Sequence, residues 1–394
     1  MIRRRDGLLA ALALPWLGAC APLLTAPQGS GDLGVIVQRS RGALSICNTS
    51  SHALIGEVGG LGDLSHASVV FSRDARHAYV FGRDGGLSQV DLLRQRLVRR
   101  VMQAGNSIGG AISADGRIVV AQNYTPGGIK AFDAETLELL AEVPAEHAPG
   151  QRSRVVGLVD LPGQRFAYSL FDADAIWISD FSDPRQPRTT RLAGIGHQPY
   201  DALVTPDGRH YIAGLFGEDG LALVDLWADQ PVARRILGGY GRGQQPLPVY
   251  KMPHLRGWAV AGRHAYLPAI GRHEVLVVDT ASWQEVARIP VAGQPVFVMA
   301  RPDGRQVWVN FAVPDYDRVQ VIDTPSQQVV ATLTPGKAVL HLEFTPRGEA
   351  VWISSRDANR VSVVDTASLR TLAQLDVDAP SGIFFTSRAA RTGF

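Results

Sequence analysis

The sequence predicts an all-β protein, an eight-bladed β-propeller with four antiparallel strands in each blade. Three observations support this prediction: a short turn motif that recurs along the chain, a spacing of 42 to 45 residues between several successive copies, and two chain ends that complement each other. Four short strands in roughly 40–50 residues are the pattern of a propeller blade. No sustained 3.6-residue apolar period is present, so we expect few helices.

The recurring motif is a tight turn between two alternating apolar runs. It reads Ser-Ala-Asp-Gly-Arg at 113–117, Thr-Pro-Asp-Gly-Arg at 205–209, Arg-Pro-Asp-Gly-Arg at 301–305 and Thr-Pro-Arg-Gly-Glu at 345–349, with looser copies at 72–76, 161–165 and 260–264. An Asp-Gly pair in this setting is a strong signal for a β-hairpin. Each copy is therefore expected to join strand A, nearest the central channel, to strand B of one blade.

Innermost strands are expected to begin near residues 66, 108, 155, 198, 254, 295, 340 and 382, which makes eight blades. The propeller begins at residue 34 with three strands, and the chain ends with a lone A-type strand, Ile-Phe-Phe at 383–385. Pairing these two parts would complete the eighth blade and remove the open sheet edges. The predicted organisation is a signal peptide at 1–19, a flexible tether at 20–33 and the propeller at 34–394.

The N-terminus has the features of a bacterial lipoprotein signal. Three arginines at 3–5 precede an apolar stretch at 8–17, which is shorter than the roughly 20 residues that span a bilayer. Leu-Gly-Ala-Cys at 17–20 then resembles a lipoprotein cleavage box, with Cys20 as the lipidated residue; an ordinary signal peptide that contains a cysteine is the alternative. The expected location is the periplasm, with a lipid anchor in the membrane. The other cysteine, Cys47, lies in an alternating apolar run and is expected to be a buried thiol.

Composition and motifs exclude several classes of function. The formal charge of +2 falls to zero without residues 1–19, and no basic run remains, so nucleic acid is not an expected partner. There is no C-x-x-C-H motif for a c-type haem and no H-E-x-x-H or paired C-x-x-C for zinc. The glycine-rich stretch at 239–243 is not followed by a helix of a β-α-β unit, so NAD is not expected.

The geometry of a blade assigns residues to faces. The D→A and B→C loops lie at one end of the propeller, here called the upper face, and the longer, irregular B→C loops indicate that the site lies there. The candidate histidines on this face are His66, His197, His254 and His341. The arginines are Arg39, Arg83, Arg154, Arg242 and Arg356. The aromatic residues are Tyr124, Phe171, Tyr200, Phe216, Phe297 and Phe311.

Each of these residues, taken alone, also fits a structural or solvent-exposed role. Several guanidinium groups at one mouth would bind carboxylates, because each can form two parallel charge-assisted hydrogen bonds. A histidine can ligate a metal, and aromatic rings offer flat apolar surfaces. The combination suits a flat, polycarboxylated ligand that carries a metal, such as a haem-like tetrapyrrole.

Three motifs resemble the haem d1 propeller domain of cytochrome cd1 nitrite reductase: Leu-Ser-His-Ala-Ser at 64–68, Ser-Arg-Asp-Ala-Arg at 72–76 and Gly-Arg-Asp-Gly at 82–85. The resemblance implies that His66 is an axial ligand of the haem iron and that Arg83 binds a haem carboxylate. It further implies that the residues lining the cofactor pocket include Arg39, Asn106, Tyr124, Arg154, Arg242 and Phe297.

The sequence also departs from that domain. It has no c-haem domain, and the reductase's distal histidine pair is not reproduced: Tyr200 stands near one position, and the loop at 238–243 has no histidine. The chain is most similar to the shorter branch of the family, which acts in haem d1 biosynthesis. The resemblance implies haem d1 or dihydro-haem d1 as ligand or substrate. The implied partners are cytochrome cd1 nitrite reductase, the related dehydrogenase NirN and the membrane, and a homodimer is compatible with the sequence.

Three functions stay open at this point. The first is an enzyme for a late step of haem d1 biosynthesis, with His197, Tyr200 or His341 as general acid or base; the reaction is not identified. The second is a non-catalytic carrier that passes the tetrapyrrole to nitrite reductase. The third is a propeller that serves only as an interaction scaffold.

Overall fold

The computed structural model describes residues 29–239, 258–269 and 272–391, with only the backbone for Ile108. Within these ranges there are 34 β-strands, two short 3-10 helices and no α-helix, so the predicted all-β class is confirmed. The predicted signal peptide, Cys20, most of the tether, Arg242 and His254 lie outside the described residues. No helix in the described ranges is long and apolar enough to cross a membrane.

Eight four-stranded antiparallel sheets form the blades, as predicted. Blades one to three are β4–β7 (Ser68–Phe71, His77–Phe81, Gly86–Asp91, Arg96–Met102), β8–β11 (Asn106–Ile112, Ile118–Thr125, Gly128–Asp133, Leu139–Val143) and β14–β17 (Val155–Leu161, Arg165–Leu170, Ala175–Asp180, Arg188–Ala193). A hairpin of β12 (Glu146–Ala148) and β13 (Gln151–Arg152) lies between blades two and three.

Blades four and five are β18–β21 (Pro199–Val204, His210–Leu215, Leu221–Asp225, Ala233–Ile236) and β22–β25 (Ala259–Ala261, His264–Ala269, Glu274–Asp279, Gln284–Pro290). Blades six and seven are β26–β29 (Pro295–Ala300, Gln306–Phe311, Val319–Asp323, Gln328–Leu333) and β30–β33 (Val339–Phe344, Ala350–Ser355, Arg360–Asp365, Thr371–Asp376). The first 3-10 helix, Arg356–Ala358, joins β31 to β32, and the second, Thr386–Ala390, follows the last strand.

The eighth blade closes the ring by joining the two ends of the propeller. The C-terminal strand β34 (Pro380–Phe385) pairs antiparallel with β1 (Leu33–Gln38), which continues to β2 (Ala43–Asn48) and β3 (Ala53–Val58). The Thr386 hydroxyl, just after β34, donates to the Leu33 carbonyl at 2.8 Å. The predicted closure is confirmed, and it leaves no unpaired A strand at the junction.

The recurring turn motif forms the A→B hairpins for a specific reason. At 205–209 the Thr205 hydroxyl donates to Asp207 Oδ1 at 2.5 Å and accepts from the His210 N–H at 2.9 Å. Gly208 adopts φ +71°, in the left-handed region that glycine tolerates best. The motif therefore encodes the hairpin through its hydroxyl, its carboxylate and its glycine.

Near the upper face, several A strands contain β-bulges, and strand-B side chains satisfy the backbone groups that the bulges free. The Asn310 amide oxygen accepts from the Phe297 N–H at 2.9 Å, and the Ser354 hydroxyl accepts from the His341 N–H at 3.0 Å. Bulges redirect side chains and are common beside functional sites. Here they occur in the strand segments that carry Phe297 and His341.

The core lies between neighbouring blades rather than in one central cluster. Trp308 and Trp352, both on B strands, are fully buried in adjacent blade interfaces. Cys47 is also fully buried there, and burial raises the pKa of its thiol, which agrees with the expected inert cysteine.

Candidate functional site

A cavity of about 160 Å³ opens at the upper face of the channel, and it brings together five of the residues predicted from the sequence. They are Arg39, His66, Tyr200, Phe297 and His341. Small-molecule pockets usually measure about 300–1,000 Å³. A macrocycle at this site would therefore extend from the cavity into the open mouth above it.

His66 lies two residues before β4 and lines this cavity. Its half-buried ring stands beside Ser65, Ala67 and Ser68, which line the same wall. In the described ranges, no group of three or more His, Cys, Asp or Glu residues could hold a free metal ion. A single imidazole can serve as the axial ligand of an iron that a macrocycle already holds, which is the role predicted for His66.

Arg39 follows β1 and presents a half-buried guanidinium to the cavity. Burial, reinforced by the like charge of Arg356, lowers the pKa of Arg39, and Asp63 opposes this effect only in part. Among the described residues no carboxylate lies within ion-pair distance of the Arg39 guanidinium. A partly desolvated cation of this kind favours an anionic ligand.

Arg83 is presented by a rigid loop whose geometry explains the Gly-Arg-Asp-Gly motif. Asp84 accepts hydrogen bonds from the Gly86 N–H at 2.9 Å and from Arg100 Nη2 at 2.6 Å, which anchors the loop. Gly85 has φ +83°, and a Cβ there would lie 2.0 Å from the Ala104 carbonyl oxygen. The Arg83 Cζ atom lies 5.9 Å from the centroid of the Tyr124 ring, so this arginine joins the aromatic side of the mouth.

Aromatic residues form one wall of the mouth. The hydroxyl oxygens of Tyr124 and Tyr200 are 2.9 Å apart, and Phe171 and Phe216 each lie within 6 Å, centroid to centroid, of the Tyr200 ring. Burial raises the pKa of both tyrosines, so both phenols stay protonated at neutral pH. One of the two phenols donates to the other, so the pair has one proton left to donate to a ligand. Phe311, by contrast, is 2% exposed and packs in an inter-blade core instead of the mouth.

Arg154 is already engaged within the protein. Its Nε and backbone N–H donate to Asp172 Oδ2 at 3.0 and 2.9 Å, and its Nη2 donates to Asp172 Oδ1 at 2.5 Å. Its Cζ also lies 4.2 Å from the centroid of the Phe171 ring. Arg154 therefore has less capacity to bind a ligand carboxylate than Arg39 or Arg83 has.

His341 is held in one tautomer by the backbone. The Ile383 N–H donates to His341 Nδ1 at 3.2 Å, so Nδ1 carries no proton and the neutral ring holds its proton on Nε2. The ring lies between Phe297 and Phe384, with centroid distances of 5.9 and 5.5 Å. The neutral His341 ring is consequently arranged to donate a hydrogen bond from Nε2.

The remaining predicted residues occupy other positions. His197 does not line the cavity: its exposed ring lies at the rim, with Nδ1 3.2 Å from Asp174 Oδ2. Asn106 begins β8, and its Oδ1 is buried without a hydrogen-bond partner among the described residues. Arg242 lies outside the described part of the chain.

The polar residues of the cavity that were not predicted from the sequence include Ser68, Gln122 and Asp201. Gln122 directly follows the apolar run Ile-Val-Val-Ala at 118–121, and a polar residue inside a buried strand was an available signal. Asp201 directly follows Tyr200 and is 3% exposed. A larger cavity, about 670 Å³, lies at the lower face beside Arg301 and Arg391, and none of the predicted site residues lines it.

Residues 28–389 match the family model described as Cytochrome D1 heme domain. The chain belongs to this family. The match covers the whole propeller, so the resemblance inferred from the motifs at 64–85 is confirmed at the level of the family.

Relatives within the family are similar over nearly the full chain. Two proteins called NirF, from Stutzerimonas stutzeri and Pseudomonas aeruginosa, are 60% and 58% identical over 390 residues, and each match covers 98% of both chains. A Dihydro-heme d1 dehydrogenase from P. aeruginosa is 29% identical over 326 residues, 80% of this chain and 64% of that protein. The solved structure of the dehydrogenase NirN in complex with DHE superposes with a TM-score of 0.79 at 26% identity, covering 94% of this chain and 80% of that one.

Proposed function

We propose that the chain binds haem d1 or its precursor dihydro-haem d1 at the upper mouth and acts in maturation of the nitrite reductase cofactor. Membership of the Cytochrome D1 heme domain family and the similarity to NirF and to the dihydro-heme d1 dehydrogenase support a role related to haem d1 biosynthesis. The expected protein partners are cytochrome cd1 nitrite reductase and NirN.

The observation that carries this proposal is the half-buried Arg39 guanidinium in the same cavity as His66 and Phe297. A cation, an imidazole and an aromatic ring match the carboxylates, the iron and the flat face of a tetrapyrrole. A scaffold protein would have no use for a partly desolvated guanidinium that no carboxylate among the described residues approaches to ion-pair distance. The site chemistry therefore favours ligand binding over a scaffold.

Different residues bind different parts of the ligand. Arg39 and Arg83 bind carboxylates at the edge of the ring, and Phe297 and the wall of Tyr124 and Tyr200 pack against its apolar surface. When bound, the iron macrocycle supplies an electron-delocalising ring whose substituents can be chemically changed. His341 Nε2 donates a hydrogen bond to that ligand, and the hydrogen-bonded pair of Tyr124 and Tyr200 has one phenol proton left to donate beside it.

We further propose that a catalytic step takes place, with the neutral His341 ring as a hydrogen-bond donor that stabilises negative charge developing on the ligand. Purified His341→Phe should bind dihydro-haem d1 within about tenfold of wild type, since the phenyl ring keeps the packing between Phe297 and Phe384 and a single neutral hydrogen bond contributes about 0.5–1.5 kcal/mol. It should nevertheless fail to restore cofactor maturation in a deletion strain, because the phenyl ring has no donor and loss of one oriented donor costs roughly 10²–10³-fold in rate. Tyr200→Phe and His197→Gln are measured alongside to compare the other two candidates.

His264→Phe provides the control, because His264 begins β23 at the lower face, away from the cavity. Dissociation constants come from visible titration, and maturation is scored as active nitrite reductase in cell extracts. Normal maturation with His341→Phe, or a loss that only follows a loss of binding, would contradict catalysis by His341 and would support the carrier.

The location of the protein is a separate proposal: a periplasmic lipoprotein anchored through Cys20. It is supported by the Leu-Gly-Ala-Cys box at 17–20 behind a short apolar stretch. In fractionated cells wild type is expected in the membrane fraction. Cys20→Ser should appear as a soluble or unprocessed form, since the acyl chains can no longer be attached. Detection of wild type as a soluble cytoplasmic protein would overturn this proposal.

A further inference from the structure

One buried amide in the cavity wall has an N–H donor with no hydrogen-bond acceptor among the described residues. Gln122, on β9, is fully buried and lines the cavity. Its Oε1 accepts from the Leu158 N–H at 3.0 Å, and this bond fixes which way the amide faces. Its Nε2 has no hydrogen-bond partner among the described residues. An unmet buried donor is costly, so a partner is expected on binding.

The space in front of this donor is kept open. A Cβ placed on Gly109 would lie 3.3 Å from Gln122 Nε2 and 3.0 Å from Ser68 Oγ. The Ser68 hydroxyl also lines the cavity and likewise lacks a partner in the described ranges. Gly109 does not have a positive φ, so the backbone conformation does not require glycine at this position. The absence of a side chain leaves two donors facing one small space.

Two other buried amides of the described blades use both ends of the amide. Asn310 occupies a comparable B-strand position, and both ends of its amide are used: Oδ1 accepts from the Phe297 N–H and Nδ2 donates to the Val339 carbonyl at 2.8 Å. Gln320 likewise accepts from the Ala292 N–H at 2.8 Å and donates to Thr332 Oγ1 at 3.2 Å. Of these three amides, only Gln122 lines the cavity, and it alone has a spare donor.

We propose that Gln122 Nε2 and Ser68 Oγ form a polar subsite that hydrogen-bonds an acceptor oxygen, carboxylate or carbonyl, on the edge of the bound tetrapyrrole. This inference rests on the proposed function and specifies how the ligand is oriented in the cavity. The arginines bind carboxylates at the mouth, whereas this subsite recognises one oxygen deeper in the wall. The subsite would thereby discriminate between tetrapyrroles that differ only in their peripheral oxygens.

The test compares Gln122→Glu with Gln320→Glu by visible titration. Glutamate at 122 keeps an acceptor for the Leu158 N–H but replaces the donor with an oxygen that repels the ligand's acceptor. With dihydro-haem d1 the affinity should fall on the order of 10- to 100-fold, and Gly109→Ala should also weaken binding by filling the space. Gln320→Glu, outside the cavity, should bind like wild type. Iron octaethylporphyrin, which has no peripheral oxygen, should bind wild type and Gln122→Glu equally.

Titration with haem b shows whether the acceptor oxygen is a carboxylate or a carbonyl, because all peripheral oxygens of haem b belong to carboxylates. If Gln122→Glu loses affinity for haem b to the same extent, the acceptor oxygen belongs to a carboxylate. If the loss of affinity is confined to dihydro-haem d1, the acceptor oxygen belongs to a carbonyl. Unchanged affinity for dihydro-haem d1, as expected if only a water fills the space, or equal losses with octaethylporphyrin would overturn the subsite while the proposed function stands. If wild type binds no tetrapyrrole, both the subsite and the proposed function fail.

Discussion

Replacement of Arg39 with glutamate is expected to weaken the binding of dihydro-haem d1 by about 100- to 1,000-fold. The change removes a charge-assisted hydrogen bond worth about 1.5–3 kcal/mol and places a negative charge against the ligand's carboxylates. Arg39 should be more sensitive than Arg154, because the Arg154 guanidinium is already bonded to Asp172. Arg83→Glu should resemble Arg39→Glu, since no carboxylate among the described residues pairs with the Arg83 guanidinium.

Visible titration of each purified variant measures this effect. Arg41→Gln provides the nearby control, because Arg41 is exposed and pairs with Glu57, with 3.1 Å between Nη2 and Oε1. Thermal unfolding shows whether a variant has lost its fold instead of its ligand. An Arg39→Glu protein that binds within threefold of wild type would contradict carboxylate binding by Arg39.

Replacement of His66 with alanine is expected to change the visible spectrum of the bound tetrapyrrole. An imidazole nitrogen would be lost from the iron, and the identity of the axial ligand strongly affects the electronic state of a haem. Affinity should fall as well, because the bond between the iron and the imidazole would be lost. The contacts with Arg39 and Phe297 would remain. Adding free imidazole should restore much of the wild-type spectrum by filling the space that the side chain leaves.

His264→Ala, at the lower face, is the matched histidine control and should give the wild-type spectrum. If His66→Ala binds the tetrapyrrole with an unchanged spectrum, His66 is not the axial ligand. A spectrum that changes instead in His341→Ala would move iron ligation to His341.

The sequence was sufficient to predict the fold because its signals are local. The turn at 205–209 forms through the side chains of Thr205, Asp207 and Gly208, and its copies repeat this chemistry in other blades. Ring closure followed from counting strands at the two ends, and β34 pairs with β1 as expected. Local turn chemistry and a fixed period leave few alternative arrangements.

The site could be predicted from the sequence only to the extent that strand order assigns each residue to the upper or the lower face of the propeller. Strand order placed Arg39, His66, Tyr200, Phe297 and His341 at one end, and the structure brings them into one cavity. Strand order says nothing about which side chains bond to each other. His197 bonds to Asp174, and Arg154 bonds to Asp172, both within the loop at 171–174. Such pairs depend on rotamers of loop residues, which no sequence period encodes.

We propose that the tetrapyrrole binds at the upper mouth with its iron on His66. Crystals of the protein with dihydro-haem d1 would test this, because anomalous scattering at the iron absorption edge locates the iron. We expect one iron site per chain, within bonding distance of a His66 ring nitrogen, with ring carboxylates reaching Arg39 and Arg83. Iron in the lower-face cavity beside Arg301, or a site at the upper mouth that His66 does not contact, would contradict it.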